Sequence, residues 1–115
     1  MTEQYRIAIH GAAGRMGQRL IAIGAADSEV ALVGAVDTVG HPRLGHDAGL
    51  NAGVSDLGLP MRSEFPAVAD VVIDFSLPEA TDRLLQTCVD RKFPLVIATT
   101  GLEPEQVERL NKATE

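Results

Sequence analysis

The sequence contains no tryptophan, one tyrosine, three phenylalanines and a single cysteine in 115 residues. So few aromatics argue against an aromatic-rich sandwich, while an apolar content carried by aliphatic residues suits a parallel sheet covered by helices. The lone thiol, Cys88, excludes an internal disulfide, and its neighbours Leu84, Leu85 and Val89 predict a helix face turned to the core. Positive charge is also in short supply. The net charge is −6 and the Lys and Arg residues are scattered, so no basic face is expected for nucleic acid. No apolar run is long enough to span a bilayer, and residues 1–5 have neither the basic flank nor the apolar stretch of a signal peptide. A soluble, cytoplasmic protein without a membrane partner is the expectation. The length suits one domain, residues 1–115, with a single core.

What is present reads as alternating strands and helices. Ile7 to His10 is a short buried strand stopped by a glycine-rich turn, after which Met16, Leu20, Ile21 and Ile23 recur at near-helical spacing as far as Ala26. Val30 to Val36 is a second strand that ends on Asp37. From Thr38 to Pro60 five glycines and interspersed polar residues predict a long loop with one helical turn. Leu59 to Arg62 reads as a short strand, with Ser63 capping a brief helix through Val68. Val71 to Phe75 is a strand covered on both faces, and Pro78 opens a helix to about Arg91. Pro94 to Ala98 is a further strand, 99–101 a tight turn, and Pro104 begins a helix that runs to Glu115 without a Gly or Asn cap. The fold class is therefore α/β, a Rossmann-like doubly wound parallel sheet. Because such sheets usually continue, the chain is expected to be a truncated N-terminal domain of a two-domain enzyme.

The chemistry is concentrated at the ends of the strands. Gly11-Ala-Ala-Gly14-Arg-Met-Gly17 lies between strand and helix, where backbone N–H groups and the positive helix end can meet a pyrophosphate. Its spacing departs from the commoner G-x-G-x-x-G, so the string carries weight only in this context, and a purely structural turn is the competing reading. Asp37, twenty residues after Gly17, can accept both hydroxyls of an adenosine ribose and repel a 2′-phosphate, which favours NAD(H) over NADP(H). The alternative is an ordinary strand-terminal Asp capping a turn. Arg15 is read as a phosphate neighbour, whereas His41 and Arg43 are read as solvated loop residues that can also meet a 2′-phosphate. Phe75 and residues 98–101 should border the nicotinamide half, beyond the carboxyl ends of their strands. Asp74 is assigned to holding the turn after it through backbone N–H groups. His10, His41 and His46 have no metal-site spacing, and neither a nucleophile elbow nor a phosphate-binding Lys is present.

Taken together, Ile7-Ala-Ile-His-Gly-Ala-Ala-Gly-Arg-Met-Gly17, Gly34-Ala-Val-Asp37, Leu44-Gly-His-Asp-Ala-Gly49, Val71-Val-Ile-Asp-Phe-Ser76-Leu-Pro78 and Ala98-Thr-Thr-Gly101 resemble the 4-hydroxy-tetrahydrodipicolinate reductases of lysine and diaminopimelate synthesis. The resemblance implies that Gly11, Ala12, Ala13, Gly14, Arg15 and Met16 hold the pyrophosphate and Asp37 the ribose. It also implies that Ala98, Thr99 and Thr100 lie along the nicotinamide. Ala98 replaces the glycine usual in the family, and Thr38 stands where some members carry an NADP-binding Arg. The second difference strengthens the lean towards NAD(H), although members often accept NADP(H) as well. The family's catalytic segment belongs to a second domain, so no catalytic residue is expected within these 115 residues, and the fragment alone should be inactive. The full-length protein is expected to act on 4-hydroxy-tetrahydrodipicolinate as a homotetramer. A non-catalytic nucleotide-sensing regulatory domain is the alternative of a different class.

Overall fold

The computed structural model describes residues 4–75, 78–91 and 94–97, with 78–83 and 97 described by backbone alone. Four strands, β1 (Tyr5–His10), β2 (Val30–Val36), β3 (Val71–Asp74) and β4 (Leu95–Ile97), form one sheet in the order β2-β1-β3-β4. All three pairings are parallel. Helix α1 (Arg15–Ala26) connects β1 to β2, and α3 (Pro78–Arg91) connects β3 to β4. The chain therefore builds outward on one side of β1, then crosses back to its other side. That reversal opens a crevice beyond the carboxyl ends of β1 and β3, the position at which open α/β sheets receive ligands.

Each sheet face has its own core. Ile9 and Ala35 pack with Ala12 and with Ile21 of α1, and partly buried Ile7, Leu32 and Ile73 join them. On the opposite face Ala8 and Val72 pack with Leu84 and Cys88 of α3, beside Val33 and Phe65. Cys88 is buried where its helical neighbours predict. A slip in register gives both cores their residues: Ile7 pairs with Leu32 but Ala8 pairs with Gly34, so Val33 is an extra residue in β2. Val33 and Gly34 then share the α3 side, and Gly34 leaves room for Pro66, whose Cδ would lie 2.8 Å from a Cβ there.

The long loop contains α2 (Ala48–Asn51), the single helical turn expected of it. Asp47 organises the whole segment. One carboxylate oxygen accepts the Leu50 and Leu57 amides at 3.0 Å each, and the other accepts the Leu59 amide at 2.8 Å. Those amides, Leu57 foremost and Leu59 and Leu50 after it, hold the Asp47 carboxyl below the usual range against a smaller desolvation effect. Gly49 is required because a Cβ would overlap the Ser55 carbonyl oxygen and lie 2.6 Å from Leu57 Cγ.

The structure departs from the sequence reading in two places. The strand at Leu59 to Arg62 shrinks to isolated bridges, Arg62 parallel to Val36 and Pro60 antiparallel to Asp47, because the chain switches partners within three residues. The helix from Ser63 to Val68 does not form. Pro66 disfavours helical backbone at Phe65 and lacks an amide of its own, and Phe65 instead packs against the α3-side core. The turn at 99–101 and the helix from Pro104 lie outside the described residues.

Candidate functional site

The glycine turn is fixed by β2 as much as by its own residues. The Gly11 and Ala12 amides donate to the Val36 carbonyl at 2.8 and 3.1 Å, and the Gly14 amide donates to the Gly11 carbonyl at 3.1 Å. Gly11 has φ +84°, left-handed backbone that favours glycine. Gly17 has an ordinary φ but no space: a Cβ would overlap the Gly11 carbonyl oxygen and sit 2.7 Å from Ala12 Cα. The third glycine thus lets α1 close onto the turn. Gly14 is different, because a Cβ there would meet only the Gly11 oxygen, at an ordinary 3.5 Å. Nothing among the described residues demands glycine at 14, whereas a ligand approaching the backbone would.

Helix α1 begins on that open position. Gly14 is its N-cap without a side-chain cap, and no acid lies in its first turn. The first intrahelical bond is from the Gln18 amide to the Gly14 carbonyl, 2.9 Å. Helix geometry consequently leaves the Arg15, Met16 and Gly17 amides without intrahelical acceptors, at the positive end of the helix dipole. Ser, Thr, Asp or Asn side chains commonly cover this end, whereas a Gly N-cap leaves it open. Here Arg15 and Met16 are exposed, and Arg15 makes no hydrogen bond or ion pair among the described residues. The residues present fit an anionic group such as a pyrophosphate.

Asp37 adjoins this helix end. Its Oδ2 accepts the Ala13 amide at 3.0 Å and its Oδ1 the Thr38 amide at 2.8 Å, so the carboxylate that ends β2 braces the glycine turn. Each oxygen retains a second lone pair for an outside donor. Gln18 braces the same turn through Nε2 on the Ala13 carbonyl, 2.9 Å. Arg43, expected as a solvated loop residue able to meet a 2′-phosphate, is turned towards α2, with Nη1 2.6 Å from Asn51 Oδ1.

Across the crevice, the Phe75 amide donates to the His10 carbonyl at 3.0 Å, carrying the β1–β3 ladder one residue beyond β3. Phe75 itself is half-buried. Beneath it lies a feature that the sequence reading missed: His10 Nδ1 is 3.0 Å from Asp74 Oδ1, and the two residues are register partners. The His10 ring is tilted against Phe65 with centroids 5.4 Å apart. The available signal was positional, since a His and an Asp each ended an apolar strand on the same face. The turn that Asp74 was expected to hold, residues 76–77, lies outside the described residues, as do Ala98, Thr99 and Thr100. Asp74 also raises its neighbour Cys88, whose thiol is pushed up to about 11, first by burial and then by that negative charge. Among the described residues no group of three or more His, Cys, Asp or Glu side chains could hold a metal ion. None of the described helices is long and apolar enough to cross a membrane.

The solved structure of a dipicolinate-bound dihydrodipicolinate reductase from Paenisporosarcina sp. TG-14 shares this fold. It superposes with a TM-score of 0.72 over 97% of this chain and 43% of the other, at 22% identity. Curated 4-hydroxy-tetrahydrodipicolinate reductases are closer in sequence. That of Alkalilimnicola ehrlichii is 51% identical over 112 residues, covering 94% of this chain and 42% of the relative. That of Rhodopirellula baltica is 46% identical over 112 residues, covering 93% and 40%. This chain spans about two fifths of the length of those relatives. The sequence profile described as "Dihydrodipicolinate reductase, N-terminus" matches residues 5–115, and with that match over nearly its whole length the chain belongs to the dihydrodipicolinate reductase family.

Proposed function

We propose that this chain is the cofactor-holding part of a 4-hydroxy-tetrahydrodipicolinate reductase and that it grips a nicotinamide dinucleotide across the ends of β2, β1 and β3. One observation carries the reading: α1 presents an uncapped, acid-free N-terminus at Gly14, and Asp37 is bonded to the turn beside it. In this reading the Arg15, Met16 and Gly17 amides meet the pyrophosphate, with the exposed Arg15 guanidinium as a cation beside them. Gly11, Ala12 and Ala13 shape the turn that brings the phosphates against the backbone.

Asp37 takes the adenosine ribose hydroxyls on its outward lone pairs. Its charge, with Thr38 in place of a cation and Arg43 turned to Asn51, favours NADH over NADPH. Phe75, Ala98, Thr99 and Thr100 flank the nicotinamide half. When bound, the nicotinamide supplies a hydride to the substrate ring, while the protein supplies position and charge. No residue of this chain is assigned the proton transfer. The whole protein is read as a cytoplasmic homotetramer acting on a small dicarboxylate.

The test is an assay of the native protein that carries these residues, at the length its gene specifies. NADH oxidation dependent on 4-hydroxy-tetrahydrodipicolinate supports the proposal. NADH binding without such turnover would leave a dinucleotide domain of another function, and an absence of both would remove the reading.

A further inference from the structure

β1 and β3 are tied together at both ends, and the two ties are opposite in character. At the amino end Arg6 meets Asp70: the Arg6 amide is 2.7 Å from Oδ2, Nη2 is 3.1 Å from Oδ1, and both side chains are well exposed. An exposed clamp of this kind serves strand pairing and is weakened by solvent. At the carboxyl end His10 meets Asp74, with the residues 6% and 0% exposed. A carboxylate withdrawn that far from water is costly unless it is hydrogen-bonded, and His10 is one of the groups that bond it.

The position of the second tie gives it a consequence that the first lacks. Gly11 follows His10 directly and begins the glycine turn, and Phe75 follows Asp74 directly. Beyond the bond from the Phe75 amide to the His10 carbonyl, the strands part, because β1 feeds α1 on one face and β3 feeds α3 on the other. The His10–Asp74 bond is therefore a side-chain link between the two lips of the crevice. Phe65 lies against the His10 ring, and Cys88 of α3 feels the Asp74 charge.

We propose that His10 is a positioning residue for the dinucleotide, which through Asp74 fixes the spacing between the lip that holds the pyrophosphate and the lip that flanks the nicotinamide. The inference rests on the dinucleotide reading above. It predicts that a ligand spanning both lips senses the tie, whereas one confined to the turn and Asp37 does not. NADH is the first kind of ligand and ADP the second.

The experiment is an amide and imidazole NMR titration, with NADH and with ADP, of the native protein that carries these residues, at the length its gene specifies. It covers wild type, His10→Phe, His10→Asn and, as a control at the opposite end, Arg6→Gln. His10→Phe keeps the ring against Phe65 but loses the bond, and should weaken NADH by about tenfold while changing ADP by less than about twofold. An Asn side-chain amide can donate from near the Nδ1 position, so His10→Asn should recover most of the NADH affinity. Arg6→Gln should lower stability and leave both affinities unchanged. Equal weakening of both ligands by His10→Phe, or unchanged NADH binding, overturns the inference. Should His10→Phe fail to fold, wild type decides: NADH must shift the His10 ring nitrogens and the Phe75 amide, and ADP must not. Wild type that binds neither ligand would instead remove the dinucleotide reading, and this inference with it.

Discussion

The Ala13 amide donates to Asp37 Oδ2 at 3.0 Å, so the acid that ends β2 and the glycine turn that ends β1 form one unit. Two jobs that the sequence offered as alternatives, capping a turn and receiving a ribose, are compatible at this carboxylate, because bracing uses only one lone pair on each oxygen. Asp37→Ala removes both. Loss of a charged hydrogen-bond acceptor is worth about 1.5–3 kcal/mol, so NADH affinity should fall by roughly ten- to a hundredfold. NADPH should lose less, since the repulsion of its 2′-phosphate disappears with the charge. Calorimetric titration of both cofactors into wild type and variant checks this, and an unchanged NADH-to-NADPH ratio would count against the ribose role.

The glycines at 14 and 17 should separate binding from stability. Gly17→Ala forces a methyl into the Gly11 carbonyl and should destabilise the fold by about 1–3 kcal/mol in thermal or urea unfolding. Gly14→Ala meets only one atom, at 3.5 Å, so its stability cost should stay below about 1 kcal/mol, the scale of a helix-cap change. It places the methyl where the proposed function puts the pyrophosphate, so on that reading dinucleotide binding should drop sharply in a protein that remains folded. A Gly14→Ala variant that binds NADH as wild type does would show that the phosphates lie elsewhere.

Most of the scaffold was legible, for identifiable reasons. Ile7–Ile9 of β1, Val30–Val36 of β2 and Val71–Ile73 of β3 read as short apolar runs, and Pro78 marks the first residue of α3. The glycine string and Asp37 were legible as a pair because their spacing follows from one β-α-β unit. Three features were not. Whether Val33 is an extra residue depends on what lies on both faces of β2, which a single strand does not reveal. The helix expected after Ser63 followed local capping logic, but Pro66 and the burial of Phe65 decide that segment. The His10–Asp74 pair joins residues 64 positions apart, and nothing local distinguishes it from two ordinary strand ends.

Acid should loosen the loop from Thr38 to Pro60 before the sheet. Asp47 is held below its ordinary range by the Leu57, Leu59 and Leu50 amides, so its folded-state value lies below its unfolded one. Its contribution is therefore present above the unfolded value and lost as pH falls through the folded one, a window at and below the usual carboxylate range. Asp70, held down chiefly by the Arg6 side chain, titrates in the same direction. Hydrogen exchange followed down through that window should show Leu50, Leu57 and Leu59 losing protection. Asp47→Asn should lose it already at neutral pH. Full protection of those amides in the variant would contradict the role given to Asp47.

Cys88 should be slow to react while the chain is folded. With its thiol near 11, against about 8.5 for a free cysteine, the thiolate fraction at pH 8 falls by roughly two orders of magnitude. Burial adds steric protection. Alkylation should consequently track unfolding, with rates in urea approaching those of a free thiol. Rapid labelling of the native chain would place Cys88 at the surface.

The most direct test of the central claim is an amide NMR titration, with NADH up to millimolar concentrations, of the native protein that carries these residues. The account predicts shifts concentrated at Ala13 to Gly17, Asp37, Thr38 and Phe75, with the Asp47 loop and the Arg6–Asp70 end unmoved. A spectrum unchanged by NADH, or shifts confined to residues away from the glycine turn, would contradict it.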